Sequence, residues 1–304
     1  ELIRELFIFI KLILNSYLTL IVDSGSTKTS WCFAFLPDTK SADGARTVTT
    51  EGLNPAVMSA EEVEGKIAKA LNHCLQSLSI SAADVDNVFF YGAGCIAGRT
   101  GVVSESISSI LVDAKIYVAD DLLGAARALC GHKAGIACIL GTGSNSCLYD
   151  GENIVAHTPA LGYVLGDEGS GAVLGRKFLN AVLKQTLPEN IRKRFLQESG
   201  LDMAEVINRV YRSPAPNRFL ASMSKYIHGY LDEKEVRDIV VDNFEDFIRN
   251  NILAYGDKFR TINVVGSIAY HYKEQLTEAA SRNGFQIGKI IKSPIEGLIE
   301  YHMS

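Results

Sequence analysis

The 304-residue sequence has one tryptophan, seven prolines and no C-x-x-C pair. Its six cysteines, Cys32, Cys74, Cys95, Cys130, Cys138 and Cys147, are scattered through apolar stretches. That spacing excludes a zinc ribbon or a disulfide framework and fits reduced thiols packed in a core, with a cytoplasmic location. Cys130, His132 and Cys138 are read as packing residues, not metal ligands. Little proline, 47% hydrophobic residues and 21% charged residues exclude a disordered or collagen-like chain. A formal charge of only -5 carries no basic excess, so neither a nucleic-acid footprint nor a membrane partner is expected. There is no G-x-x-x-x-G-K-[ST] loop and no G-x-S-x-G elbow, which sets aside P-loop NTPases and serine hydrolases. The long apolar stretch from Ile3 to Val22 is broken by Arg4, Glu5, Lys11 and Asn15, and no small-residue cleavage site follows it. It reads as neither a membrane span nor a signal peptide. Residues 1–16 are set aside as a leader of unassigned origin.

Three hundred residues is about two domains at roughly 150 residues each. From Leu18 the pattern is α/β. Leu18 to Val22, Trp31 to Leu36 and Arg46 to Thr50 are short β-branched or aromatic runs that predict an antiparallel meander. Apolar residues at helical spacing predict a helix over 60–78, followed by strands at Val88 to Tyr91 and Ile116 to Ala119. The same grammar restarts at Gly135 to Leu140, with Asn145 to Tyr149 and Asn153 to His157 following, which implies an internal duplication. Residues 168–256 read as mostly helical. A strand at Ile262 to Val265, a helix from Ile268 to Asn283, a strand at Ile287 to Ile291 and a helix from Ile295 follow.

Three glycine turns carry the chemistry. In Asp23-Ser24-Gly25-Ser26-Thr27-Lys28, Gly25 lets backbone N–H groups converge beside the Ser26 and Thr27 hydroxyls, a concavity suited to phosphate oxygens. Asp23, at the strand end, is placed to hold Mg²⁺ against such phosphates. Taken alone, the segment reads equally as an ordinary turn with a solvated carboxylate. Gly141-Thr142-Gly143-Ser144 repeats the arrangement at the start of the second half. Gly266-Ser267 carries a strand into a helix, where a glycine allows an adenine ring to approach the backbone. Asp120 and Asp121 lie where a strand ends and a helix begins, so the free N–H groups and the helix dipole favour their charged forms.

The ordered set of these turns resembles the actin-like ATPase superfamily, which contains hexokinases and heat-shock chaperone ATPases. Within it, Gly166-Asp167-Glu168-Gly169-Ser170-Gly171 is similar to the BadF/BadG/BcrA/BcrD ATPase family and its N-acetylglucosamine kinase branch. The resemblance covers roughly 18–302. It implies an α/β fold of two ribonuclease-H-like lobes around an interlobe nucleotide cleft. The lobes would be 18–119 with 293–304, and 120–292 with a helical insertion. ATP and Mg²⁺ would be the cofactors and an amino sugar the phosphoryl acceptor, while a homodimer is left open.

Carried over by position, Asp23 becomes the metal-associated carboxylate. Gly25, Ser26, Thr27 and Lys28 form the first phosphate turn, and Gly141, Thr142, Gly143 and Ser144 the second. Gly266 and Ser267 border the adenosine. The family's base lies three residues before the glycine of its segment, here Gly124, which selects Asp121 and leaves Asp120 as a helix cap. Asn54, Gly94 and Asp167 match the sugar-binding positions. One departure stands out: Pro159 and Ala160 replace glycines of a Gly-Gly-Trp-Gly run, and the tryptophan is missing, so a reshaped acetamido pocket is expected.

Two rival readings differ in class. Gly92-Ala93-Gly94-Cys95-Ile96-Ala97 after a strand, with Asp120 ending the next, partly matches a dinucleotide-binding dehydrogenase. The loop through Gly98 to Gly101 delays the helix, however, and the other turns are left unused. An ATP-driven activator of a dehydratase or reductase would hold an iron–sulfur cluster through two cysteines per subunit at a dimer interface, and no cysteine here has the glycine-flanked setting expected of such a ligand. A sugar sensor without catalysis would need a DNA-binding module, and none precedes Leu18.

Overall fold

The computed structural model describes residues 17–25, 27–36, 44–96 and 98–303. The leader 1–16 and Ser26, expected in the first phosphate turn, lie outside the described residues. The chain divides into two compact units, Glu1–His132 with Pro294–Ser304, and Lys133–Ser293.

In the first unit β1 (Tyr17–Ser24), β2 (Lys28–Leu36) and β3 (Arg46–Glu51) form the expected antiparallel meander. Beyond β3, α1 (Ala60–Leu78) leads to β4 (Asn87–Gly92), which pairs in parallel with β1. Next, α2 (Thr100–Ser108) leads to β5 (Lys115–Asp120), parallel to β4, and α3 (Asp121–Cys130) follows without a gap. The strand order is β3-β2-β1-β4-β5. The α1 helix begins where Ser59 accepts from the Glu62 N–H while the Glu62 carboxylate accepts from the Ser59 N–H, a reciprocal cap. Its buried stripe of Val63, Ile67, Leu71 and Cys74 packs on Leu20, Trp31, Val88 and Phe90 of the sheet. The opposite faces of β4 and β5 present Phe89, Tyr91 and Tyr117 to Arg127 of α3 and to the C-terminal helix.

The second unit repeats this order. β6 (Gly135–Leu140), β7 (Ser144–Tyr149) and β8 (Ile154–Thr158) form the meander, while β9 (Thr261–Val265) and β10 (Gln286–Ile291) add in parallel, giving β10-β9-β6-β7-β8. Helices α4 (Gly171–Leu183), α5 (Glu189–Ser199), α6 (Met203–Tyr211), α7 (Pro216–Ser222), α8 (Ser224–His228) and α9 (Lys234–Phe247) fill the β8–β9 connection. Their inner faces share one core with β6 and β9. The helix expected from Ile268 to Asn283 is two pieces, α10 (Ser267–His271) and α11 (Lys273–Arg282). Tyr272 breaks it: the side chain is buried, its hydroxyl donates to the Ser224 carbonyl, and its backbone (φ −115°, ψ 31°) leaves the helical region. The chain then returns to the first unit as α12 (Ile295–Met303). Among the described residues no helix is long and apolar enough to cross a membrane.

Candidate active site

In the first unit the candidate residues gather at the carboxyl ends of β1, β4 and β5, where open α/β sheets offer loops to ligands. The β1–β2 hairpin is closed by the Gly25 N–H donating to the Lys28 carbonyl at 2.9 Å, and the Gly52 N–H donates to Thr27 from the next connection. Asp23 sits between Ser30 of β2 and Tyr91 of β4 in register. Burial pushes its carboxyl up to about 6, against the opposing pull of Lys28.

Ser24, which sequence reasoning did not single out, ties three loops together. Its hydroxyl bonds to Thr29 Oγ1 at 2.9 Å and donates to the Leu53 carbonyl, while its own carbonyl accepts from the Ala93 N–H at 2.7 Å. That brings Asn54 and Gly94 beside the β1–β2 hairpin. Gly94 has φ +77°, and a Cβ there would fall 2.0 Å from Asn54 Oδ1, so the turn can hold only glycine against that amide.

Asp120 and Asp121 take different roles. The Asp120 carboxylate accepts from the Leu123 N–H at 2.8 Å, a helix cap at the end of β5. Asp121, the first residue of α3, keeps part of its surface open yet is ringed by protein. A helix start is expected to favour its charged form, but poor hydration first, then repulsion from Asp120 and Asp23, outweigh the N–H groups of Asp121 and Leu122 and raise its carboxyl to about 7. The three carboxylates therefore form one electrostatic group, and two of them, Asp121 and Asp120, add to burial in pushing the Cys95 thiol up to about 12. The helix α2 starts only at Thr100, and the described residues Gly92 to Ile96 before it are not helical, so this segment does not open a dinucleotide-binding helix.

In the second unit Gly141, Thr142, Gly143 and Ser144 form the β6–β7 turn, with the Gly141 N–H donating to the Gly143 carbonyl. The turn is stitched to α4: the Gly171 N–H donates to Gly141 and the Ala172 N–H to Thr142. Asp167 accepts from the Ser144 N–H at 3.3 Å and would touch a Cβ on Gly143, so the turn and the Gly-Asp-Glu-Gly segment share one place. Burial raises its carboxyl to about 6, with the Ser144 N–H opposing. Its backbone has φ +53°, unusual for a non-glycine residue. Gly266, with φ +131°, lies so close to β6 that a Cβ would meet the Leu140 carbonyl at 2.2 Å. Ser267 beside it is exposed.

Three asparagines missing from the sequence reading hold the Asp167 segment. The buried Asn243 accepts from the Gly169 N–H and donates to the Ser170 carbonyl. Asn250 and Asn251 donate to the two oxygens of the Glu168 carboxylate, at 2.9 and 3.3 Å. They stand in a π-helical turn, Ile248–Ile252, that continues α9. Adjacent asparagines inside a helical stretch, where the type is a poor former, were the available signal. All six cysteines are thiols and five are buried. Among the described residues no group of three or more His, Cys, Asp or Glu is arranged to hold a metal by itself.

Comparison with known proteins places these observations. The family model described as the BadF/BadG/BcrA/BcrD ATPase family matches residues 22–188. A Porphyromonas gingivalis structure, provisionally named an N-acetylglucosamine kinase, superposes with a TM-score of 0.87 at 44% identity, over 94% of this chain and 98% of that one. A curated relative, the N-acetylmuramic acid/N-acetylglucosamine kinase of Clostridium acetobutylicum, is 28% identical over 183 residues. That match takes in 57% of this chain and 56% of the relative's length. A ROK family glucokinase from Streptomyces griseus, solved with glucose and AMPPNP, has the same fold at a TM-score of 0.52 and 16% identity, over 94% of this chain and 98% of that one.

Proposed function

Because the chain belongs to the BadF/BadG/BcrA/BcrD ATPase family, we propose that it is an ATP-dependent sugar kinase, transferring the γ-phosphoryl group to a hydroxyl of an amino sugar, N-acetylglucosamine or a relative. The observation that carries this reading is Asp121, a partly open carboxylate held at a helix start with its proton affinity raised to about 7. Phosphoryl transfer asks mainly for positioning, charge stabilisation and an acceptor for the alcohol's proton, and a base poised near neutrality suits the last need.

Each remaining residue then has a task. In the proposed complex, the turns Gly25–Lys28 and Gly141–Ser144 each offer backbone N–H groups to the nucleotide phosphates, with Gly266 and Ser267 against the adenosine. Asn54, Gly94 and Asp167 orient the sugar, and the Asp121 carboxylate takes the hydroxyl proton as the sugar oxygen bonds to the γ-phosphorus and ADP leaves. Magnesium fits the donor set. Asp23 offers one hard oxygen ligand whose burial opposes an uncompensated charge, and Mg²⁺ is usually held by one or two carboxylates together with phosphates and water. When bound, the ion would neutralise charge on the β- and γ-phosphate oxygens. A reducing cytoplasm suits the six thiols.

The test is ATP consumption over N-acetylglucosamine, glucosamine, N-acetylmuramic acid, N-acetylmannosamine and glucose, beside a no-sugar control. Sugar-dependent turnover supports the kinase. Equal turnover with and without sugar would instead favour an ATP-driven activator.

A further inference from the structure

Behind the phosphate hairpin of the first unit lies a cavity of about 150 Å³, between α1 and the strands β2 and β3. A space of that size holds one six-membered ring. Its floor is apolar: Trp31, Leu53 and Ala70 are all buried. Thr29, Thr50 and Glu51 complete the wall; the buried Thr29 hydroxyl is bonded to Ser24, and the Thr50 hydroxyl accepts from Trp31 Nε1 at 2.8 Å. The rim on α1 carries Lys66, Lys69 and His73 on one helix face. Lys66 reaches Glu51 at 3.4 Å, a loose and exposed pair, while Lys69 has no partner among the described residues. Two ammonium groups therefore face one carboxylate over a ring-sized apolar hollow.

We propose that this cavity is a second binding site, taking a monosaccharide phosphate. The ring would fill the hollow on Leu53 and Ala70, its hydroxyls would pair with Thr50 and Glu51, and the phosphate would sit between Lys66, Lys69 and His73. The site shares its back wall with the candidate active site. Thr29 bonds to Ser24, which follows Asp23, and Leu53 precedes Asn54. Occupancy pushes on the loop bearing Asn54, so bound ligand raises the KM for the acceptor sugar; that consequence rests on the kinase reading.

The test titrates glucose 6-phosphate, glucose and inorganic phosphate separately into the full-length protein by calorimetry, using wild type, Lys66→Glu/Lys69→Glu and the milder Lys69→Ala. All substituted positions are on an exposed helix face, and circular dichroism checks folding. The expected result is binding of glucose 6-phosphate to wild type, at least tenfold weaker binding to the double variant, and intermediate binding to Lys69→Ala. Glucose and phosphate alone bind far more weakly. Turnover without the ester should match wild type in both variants, and the rise in sugar KM with the ester should vanish in the double variant. Equal affinity in wild type and the double variant, no binding to wild type at millimolar concentration, or inorganic phosphate binding as tightly as the ester would each overturn the site. A protein that binds the ester as described but shows no sugar-dependent turnover would refute the kinase reading while leaving the binding site intact.

Discussion

Gly124 lies flush against Tyr91: a Cβ on Gly124 would come within 2.7 Å of the Tyr91 Cβ and Cγ. This contact seats α3 on β4, and Asp121 stands one turn earlier on the same helix. Gly124→Ala should lift the helix and cost about 1–3 kcal/mol, the usual range for overpacking. Chemical denaturation gives the stability, and a parallel drop in kcat would report the displaced carboxylate; wild-type values for both would refute the coupling.

The adjacent carboxylates should separate cleanly. Asp121→Asn is expected to lose 10²- to 10⁴-fold in kcat, the range of general acid–base catalysis, while still binding nucleotide and sugar. Asp120→Asn should retain most activity and lose about a kcal/mol or less, because asparagine also accepts from the Leu123 N–H. Exchanged phenotypes would move the base to Asp120.

The asparagine clamp on Glu168 gives a third expectation. Asn251→Ala removes a donor to that carboxylate and another to the Phe247 carbonyl. A loss of roughly 1–3 kcal/mol is expected for a polar group left without its partner. The slackened Asp167 segment should also raise the sugar KM more than the ATP KM, measured in a two-substrate assay.

Acidity should act through the C-terminal helix. His302 Nε2 bonds to the Tyr91 hydroxyl at 2.9 Å, and the imidazole stacks on Phe89. Burial first, then the charges of Arg127 and His132, push its pKa down from 6.5 to about 4. The unfolded histidine therefore takes up a proton that the folded one refuses. Its contribution is fully present above pH 6.5, falls as the pH drops toward 4, and levels off below. The raised carboxyls of Asp23, Asp121 and Asp167 have the opposite slope, but they are common to both proteins in a comparison with His302→Gln. The difference in stability between wild type and variant should shift across pH 4–6.5 and stay flat above 7.

Substrate choice can be probed at Pro159 and Ala160. The Ala160 carbonyl accepts from the Asp167 N–H, and it would be hit by a Cβ on Gly166 at 2.1 Å, so this backbone supports the segment proposed to orient the sugar. Pro159→Gly with Ala160→Gly keeps that carbonyl while removing side-chain bulk. Preference measured as kcat/KM should move toward N-acetylglucosamine; a wild-type enzyme already strongly selective for it would refute the filled-pocket idea.

Much of this could be read before folding because it is local. The strands β1 and β6 are apolar runs buried along most of their length, their turns carry glycine, and α1 shows its stripe and cap within twenty-odd residues of sequence. What escaped was long-range or singular. The Tyr91–His302 bond joins residues 211 apart, and a lone polar pair leaves no periodic trace. The break at Tyr272 arises from a tertiary bond to Ser224, and the π turn at 248–252 depends on a carboxylate more than eighty residues upstream in sequence. Periodicity reports which face is buried, not which partner a side chain will find.

The return of α12 to the first unit also orders events on the ribosome. Residues 133–293 are contiguous and emerge as a complete unit, whereas the first unit receives Ile295–Met303 only after all of them have been made. Until then Tyr91 and Phe89 lack His302, and Arg127 lacks the ring of Tyr301. A nascent chain stalled before residue 295 would thus expose an aromatic patch on β4 and β5, a surface that holdase chaperones recognise, and synthesis of the last helix would withdraw it.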